Sequence, residues 1–493
     1  MPGQRYILRQ YPHLSLNFSF SRQVTIGKLS DEVLLNTFHY YLDSSPQFWP
    51  RLVHICRKWR CIVFASQRAL RLRLFCTHQT PFLKTLDWWP ALPIVVEYRG
   101  SPTLDPPAPE DEDNIVAALE QSDRVRSISL TVTNSLLEKL SAIERPFSEL
   151  EDLVLLSQDS MPLTLPSGFG RGTRLRSLHL TRITFVTLPQ LLYSSRNLVD
   201  LQLHEVLNPW LFSPEALTDA LGGMVQLQLL SLHFLPTINH IGVLLPSAGR
   251  NCVVLPALTC LNFRGITKYL EGIVTGIDAP SLGDIKATLF DEALFHLDFS
   301  TLRKFIYGKE TQKSPRQADI IFSERSTSVS LTQPALACFK LQVLHQFSDR
   351  YQFHLVRICT DFSFFLSNVE DLRVTGNTAG TTRSRLLGHG QFLEAIKLFT
   401  NVKSVHVAGD LSTDIVKALQ YRWRQPASVL PVLHKLCIPQ PGPRHSPLRE
   451  AVVSFMTFYR LSGHPIAVEY EQLSIDELRE IGITYPTTST TTR

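Results

Sequence analysis

A hydrophobic motif of the form L-x-x-L-x-L recurs along this chain and limits what it can fold into. Copies begin at Val125, Leu150, Leu175, Leu198, Leu227 and Leu258, at intervals of 25, 25, 23, 29 and 31 residues. Further copies begin at Val369, Val402 and Leu433. Apolar residues two apart on an extended chain point to one side, so each copy predicts a short strand with one buried face. Between the copies, residues 134–143, 188–195, 214–221 and 266–274 carry apolar positions at helical spacing. One strand and one helix cannot bury their own apolar faces, whereas stacked units share a continuous core.

These intervals are close to those of leucine-rich repeats. The expected fold class is α/β, with a leucine-rich-repeat-like αβ solenoid over residues 69–470. A non-repetitive α/β domain or a β-sandwich would give the same pattern over two or three copies, and the larger number of copies favours the solenoid. Residues 319–322, 328–331 and 339–344 predict strands without the Leu template. They make an irregular β-rich middle, either an insertion or degraded repeats. Residues 361–365 are rich in aromatics and read as core.

Within the template the second and third apolar positions point into the core. The residues before, between and after them face the other, concave side of the sheet. That assigns Ser177, His179 and Thr181 to one face in one unit, and Asp200, Gln202 and His204 in the next. Ser231 and His233 follow, beside Leu229, and then Asn262 and Arg264, beside Cys260. These are the candidate partner-binding residues. His179, His204 and His233 would form a polar or pH-sensitive stripe; the competing reading is ordinary exposed strand residues.

Ahead of the repeats lies a short helical head. Ser30 can cap a helix whose first turn holds Asp31 and Glu32. Leu29, Val33, Leu34, Phe38, Tyr41 and Leu42 follow at helical spacing. A polar break over 43–47 precedes a second predicted helix from Pro50, with Leu52, Cys56, Trp59 and Val63 on one stripe and Arg57, Lys58 and Arg60 on the other side. About forty residues provide too little core to stand alone, so this head is expected to lean on a partner or on the repeats. Leu70, Leu72 and Leu74 alternate with Arg71 and Arg73 and predict an edge strand leading out of the head.

The run Leu29-Ser30-Asp31-Glu32-Val33-Leu34, followed by Leu52-Val53-His54-Ile55-Cys56-Arg57-Lys58-Trp59, resembles an F-box. The usual opening is Leu-Pro-x-Glu-aliphatic, and Ser30 stands where most members carry Pro. The remaining chain is similar to a large group of F-box proteins from mushroom-forming fungi. It shares with them Trp89-Pro90-Ala91-Leu92-Pro93-Ile94, Pro109-Glu110-Asp111-Glu112-Asp113-Asn114, Asp123-Arg124-Val125 and Leu461-Ser462-Gly463-His464-Pro465-Ile466.

The resemblance implies an N-terminal tail (1–23), an F-box-like head (24–68), the solenoid, and a C-terminal tail (471–493). It implies a substrate-recognition subunit of a ubiquitin ligase, whose partners are a Skp-type adaptor, a cullin scaffold and an unnamed target protein. Leu29, Val33, Leu34, Val53, Cys56 and Trp59 would then dock the adaptor. The contrary reading is that they only pack the head onto the first repeat. The alternative function is a repeat scaffold with no ligase role.

Catalytic chemistry finds no motif here. The chain has no G-x-x-x-x-G-K-[ST], no H-E-x-x-H and no G-x-S-x-G. The glycine-rich run 168–172 precedes a strand instead of opening a helix after one, so a surface turn is expected. Eight cysteines contain no C-x-x-C pair, and His54, Cys56, Cys61, Cys76 and His78 match no standard zinc spacing. The acidic residues 110–113 read as a helix start and not a cation site. No catalytic residue, cofactor or metal is therefore expected. A net charge of +5 over 493 residues, with no aromatic platform among the basic residues of the head, argues against nucleic acid. No long apolar run or signal-peptide centre occurs. The expected place is inside the cell, in cytoplasm or nucleus, with no membrane partner.

Overall fold

A computed structural model describes residues 28–78, 80, 82, 89–98, 109–143, 145–157, 169, 174–183, 188–206, 213–235, 252–290, 299–307, 315–323, 325–332, 338–344, 351–377, 389–409, 411–420, 429–440, 446–461, 463 and 466–471. The chain divides into two compact units, Met1–Phe75 with Trp89–Pro93, and Cys76–Trp88 with Ile94–Arg493.

The first unit begins with helix α1 (Asp31–Ser44). Ser30 caps it by accepting a hydrogen bond from the Val33 amide at 3.4 Å, and Asp31 and Glu32 occupy its first turn as expected. Leu34, Phe38 and Leu42 recur every fourth residue and are its buried stripe. A single 3₁₀ turn (Pro46–Phe48) leads into the short helix α2 (Trp49–Val53). Trp49 is fully buried, donates its indole N–H to the Arg73 carbonyl at 2.6 Å, and meets the edge of Trp89 with centroids 4.8 Å apart.

Two expectations for this unit are corrected. The second helix does not run unbroken from Pro50: α2 stops at Val53, Cys56 is extended (φ −159°), and a new helix α3 spans Arg57–Ala65. The i, i+4, i+7, i+11 stripe through Cys56 therefore does not exist. Nor do Leu70 to Leu74 form one edge strand. Leu70 and Leu72 donate backwards to the Ser66 and Gln67 carbonyls in a turn, and Arg71 takes left-handed φ of 50°. Leu70, Leu72 and Leu74 are buried all the same, and extended chain begins only at β1 (Leu74–Cys76).

The second unit is mixed α/β, built on a large and mostly parallel sheet. Its strands are β2 (Ile94–Tyr98), β3 (Val125–Val132), β4 (Asp152–Ser157), β5 (Ser177–Thr181), β6 (Asp200–Val206) and β7 (Leu229–Phe234). They are followed by β9 (Cys260–Gly265), β11 (Asp284–Phe290), β12 (Gln317–Ser323), β13 (Ser326–Thr332) and β14 (Cys338–Leu344). The last four are β15 (Asp371–Asn377), β16 (Ser404–Gly409), β17 (Lys435–Pro439) and β18 (Ala467–Glu471). From β2 the order is β2-β3-β4-β5-β6-β7-β9-β11-β14-β13-β12-β15-β16-β17-β18, and β8 (Val253–Val254) pairs separately with β10 (Ile277–Asp278). The β-rich middle is a reversal in this series: β13 runs antiparallel between β14 and β12.

The Leu template explains the register. Its first apolar residue sits just ahead of each strand and is fully buried at Leu150, Leu175, Leu198, Leu227 and Leu258. The residue immediately after it donates its amide to the matching carbonyl of the unit before. Glu151 bonds to Arg126, Arg176 to Glu151, Val199 to Arg176, Gln228 to Val199 and Thr259 to Gln228, all at 2.7–2.9 Å. The same ladder returns from Glu370 to Arg316, Lys403 to Glu370 and His434 to Lys403. Each unit thus aligns the next, and the second and third apolar positions fall into buried rows such as Leu178, Leu201, Leu230 and Leu261.

Helices Asn134–Ser141, Leu188–Ser194, Pro214–Leu221 and Thr267–Gly276 fill the predicted helical intervals. Gly272 and Gly276 let the last two approach closely, since an added Cβ would lie 2.7 Å from Pro214 and 2.8 Å from Thr218. Gly409 ends β16 at φ +80°, where a Cβ would stand 2.0 Å from the Gly376 carbonyl oxygen. In the aromatic stretch, Phe362 and Phe365 are core as expected, while Phe364 is exposed. No helix among the described residues is long and apolar enough to cross a membrane.

Candidate functional site

Two surfaces carry the residues singled out by the sequence. The first is the outer face of α1 and the start of α3. Leu34 is 1% exposed and Val53 is equally covered. Both were expected to dock a partner; as they stand they are core, because they fall on the inward stripe with Phe38 and Leu42 or at the buried end of α2. Leu29 and Val33, by contrast, are 36% and 48% exposed, and Cys56 is exposed. Trp59 is half-buried, its ring edge-on to Phe38 at 4.7 Å. Its buried indole N–H has no hydrogen-bond partner among the described residues.

Three further apolar side chains are exposed: Tyr41, which the helical spacing puts on the apolar stripe, and Tyr40 (81%) and Ile55 (57%), which it does not. Tyr40 follows Val33 by seven residues, two helical turns, which puts both on the face opposite the buried stripe. Ile55 was hidden by the assumption of a continuous helix; the break at 54–56 turns it outward. Lys58 ties the beginnings of α1 and α3 together. Its ammonium donates to the Leu29 carbonyl at 2.8 Å and pairs with Asp31 at 3.1 Å. Leu29, Val33, Ile55 and Cys56 therefore belong to one end of this unit.

The second surface is the polar face of the sheet. Parallel register aligns Ser177 with Asp200, then His179 with Gln202, Ser231 and Asn262, and Thr181 with His204. His233 aligns with Arg264. Every candidate residue alternates with a buried apolar one, as the period of two requires. The side chains form a hydrogen-bonded chain. His179 Nε2 lies 2.8 Å from Asp200 Oδ2 and 3.2 Å from Ser177 Oγ, and Gln202 donates to Asp200 at 3.1–3.2 Å. Ser231 Oγ lies between His204 Nε2 at 3.0 Å and His233 Nε2 at 3.4 Å. The two imidazoles stack with centroids 4.1 Å apart.

Their stacking is a local departure from regular pairing. The β6–β7 register shifts between Leu203 and Val206, and Glu205 takes left-handed φ of 53° while pairing with Arg182, itself left-handed at the end of β5. Burial, the neighbouring His204 and then Arg264 push the His233 pKa down from 6.5 to about 4. Burial and then His179 push His204 down as well.

Ser177, His179 and Asp200 have the residue types of a hydrolytic triad but not its wiring. In a triad the serine and the carboxylate bond to opposite imidazole nitrogens, so that one holds the ring while the other takes the serine proton. Here both meet the same Nε2. The cluster is a hydrogen-bonded network across β5 and β6. No group of three His, Cys, Asp or Glu among the described residues is placed to hold a metal ion. In the acidic run, Glu112 is buried, bonded to Ser135 and paired with Lys139 at 2.8 Å. Of the glycine-rich run 168–172, only Phe169 lies within the described residues. Cys56 and Cys61 are exposed, whereas Cys76 is buried beside Tyr98 and has its thiol pushed up to about 12 by burial.

Compared with known proteins, the sequence matches no protein-family model and no curated protein.

Proposed function

We propose that this protein is the substrate-recognition subunit of a Skp–cullin–F-box type ubiquitin ligase, a non-catalytic adaptor that tethers a target protein. In this reading the first unit is an F-box-like head, and the second is a leucine-rich-repeat-like solenoid interrupted by the β12–β14 reversal. The observation that carries it is the exposed apolar group Leu29, Val33 and Ile55, with Cys56, at one end of a small helical unit. These residues fall within the two runs that resemble an F-box. Large side chains left in water at such a density favour a partner surface, each contributing roughly 1.5–3 kcal/mol if fully covered. The partner is a Skp-type adaptor, itself bound to a cullin scaffold. Catalysis is positional: the polar sheet face holds the target, and tethering raises the local concentration of its lysines near a ubiquitin-loaded enzyme.

A second reading is a repeat scaffold with no ligase role. The burial of Leu34 and Val53 favours it, because it removes two of the six expected docking contacts. Binding of purified full-length protein to a recombinant fungal Skp-type adaptor separates the two. The ligase reading expects a complex that Val33→Asp and Ile55→Asp abolish; a folded wild type that forms none supports the scaffold.

A further inference from the structure

The geometry points to an acidic protein segment, rich in Asp or Glu and extended, as the occupant of the polar sheet face across β9, β11 and β14. This rests on reading that face as the target-holding surface, but it does not require the head or its adaptor. Lys286 on β11 sits directly opposite Lys340 on β14, and Arg264 lies on the neighbouring strand β9, opposite Thr288. Like charges directly opposite on adjacent strands, about 4.8 Å apart in the pairing direction, repel each other. Among the described residues none of these three cations makes an ion pair with a carboxylate; Arg264 instead sets its guanidinium over the Phe290 ring, 5.8 Å from the centroid. Arg264 and Lys286 are exposed and Lys340 is half-buried.

Of the acidic groups nearest on this face, two are engaged by other side chains and two stand at a distance along or across the sheet. Asp200 is held by His179 and Gln202, and Glu205 by Arg182. Asp284 lies one full pleat before Lys286, and Asp319 is two strands beyond Lys340 and accepts from Gln317. Around the cations stand neutral hydrogen-bonding groups, Asn262 and Gln342, aligned with Lys286 and Thr288. His233 beside Arg264 stays uncharged at neutral pH because partial burial, the neighbouring His204 and the Arg264 charge all disfavour its protonation.

Charge complementarity selects an anionic partner. The absence of any exposed Phe, Tyr or Trp among the described residues of β6, β7, β9, β11 and β14 removes the stacking platform a single-stranded nucleic acid uses.

The test is fluorescence anisotropy of a labelled Glu-rich peptide with the full-length chain. Saturable binding that weakens with salt is expected. Lys286→Glu with Lys340→Glu should weaken it at least about tenfold, and Lys286→Gln with Lys340→Gln by an intermediate factor. The gentler pair guards against misfolding. Lys268→Glu with Lys417→Glu changes net charge equally from exposed helix positions and should leave binding within about twofold. Equal loss in that control, no saturable binding by wild type, or tighter binding of an oligouridylate than of the peptide each overturns the proposal. Failure of the adaptor complex with intact peptide binding overturns the ligase reading alone.

Discussion

The stacked His204–His233 pair makes the second unit acid-sensitive in a defined window. Unfolded, a histidine takes its proton near 6.5; folded, His233 resists until about 4. Between those values the unfolded state binds more protons, so stability is intact above the unfolded pKa and falls as pH drops toward the folded one. The full gap corresponds to about 3 kcal/mol at 1.36 kcal/mol per pKa unit. Water reaching the exposed part of the ring reduces this to about 1–2 kcal/mol. His204, depressed by burial and His179, adds in the same direction. The groups facing the pair are His179, Asp200 and Glu205 from β5 and β6, and Arg264 from β9. Urea unfolding at about pH 7.5 and about pH 5 measures the loss, in wild type and in His233→Gln, whose amide can keep the contact to Ser231. Because about pH 5 lies only partway down that window, the variant should lose about 1 kcal/mol less than wild type on acidification. Equal losses, or a larger loss in the variant, would refute the reasoning.

Other consequences are local. Leu34→Ala should cost roughly 2–5 kcal/mol, because a fully buried side chain leaves a cavity; denaturant unfolding of the first unit reads it. Gly409→Ala should lower soluble yield and melting temperature sharply, since both the left-handed φ and the approach of the Gly376 carbonyl exclude a Cβ. Iodoacetamide near pH 8 should label exposed Cys56 and Cys61 in the native protein and spare Cys76, whose buried thiol stays protonated; mass spectrometry of the digested protein distinguishes them.

The strands were readable because one physical rule, alternate residues on opposite faces, acts on every copy of the Leu template. That rule placed His179, Gln202, His204 and His233 on the polar face from sequence alone. It could not reach Lys286 or Lys340. Asp284-Ile285-Lys286-Ala287 carries no Leu template, and β14 pairs with β11 only after the chain has passed through β12 and β13. Long-range pairing of this kind leaves no local trace. The stacking of His204 on His233 was hidden too, because it depends on the register shift at the end of β6.

In the head, helical periodicity gave α1 and its cap but misjudged the partition of its apolar residues. Leu29, Val33 and Tyr41 share hydrophobicity with Leu34, Phe38 and Leu42, and only packing decides which stripe turns inward. The break between α2 and α3 has no Pro or Gly to announce it: His54-Ile55-Cys56 reads as helix, yet Cys56 is extended.

The most direct measurement is equilibrium binding of the full-length chain to a purified fungal Skp-type adaptor, with the unfolding midpoint of each variant recorded beside it. Wild type should form a one-to-one complex, and Val33→Asp with Ile55→Asp should abolish it while shifting the midpoint little, since both side chains already face water. A folded wild-type chain that ignores the adaptor, or a double variant that binds as wild type does, would contradict the assignment of that apolar end as a docking surface.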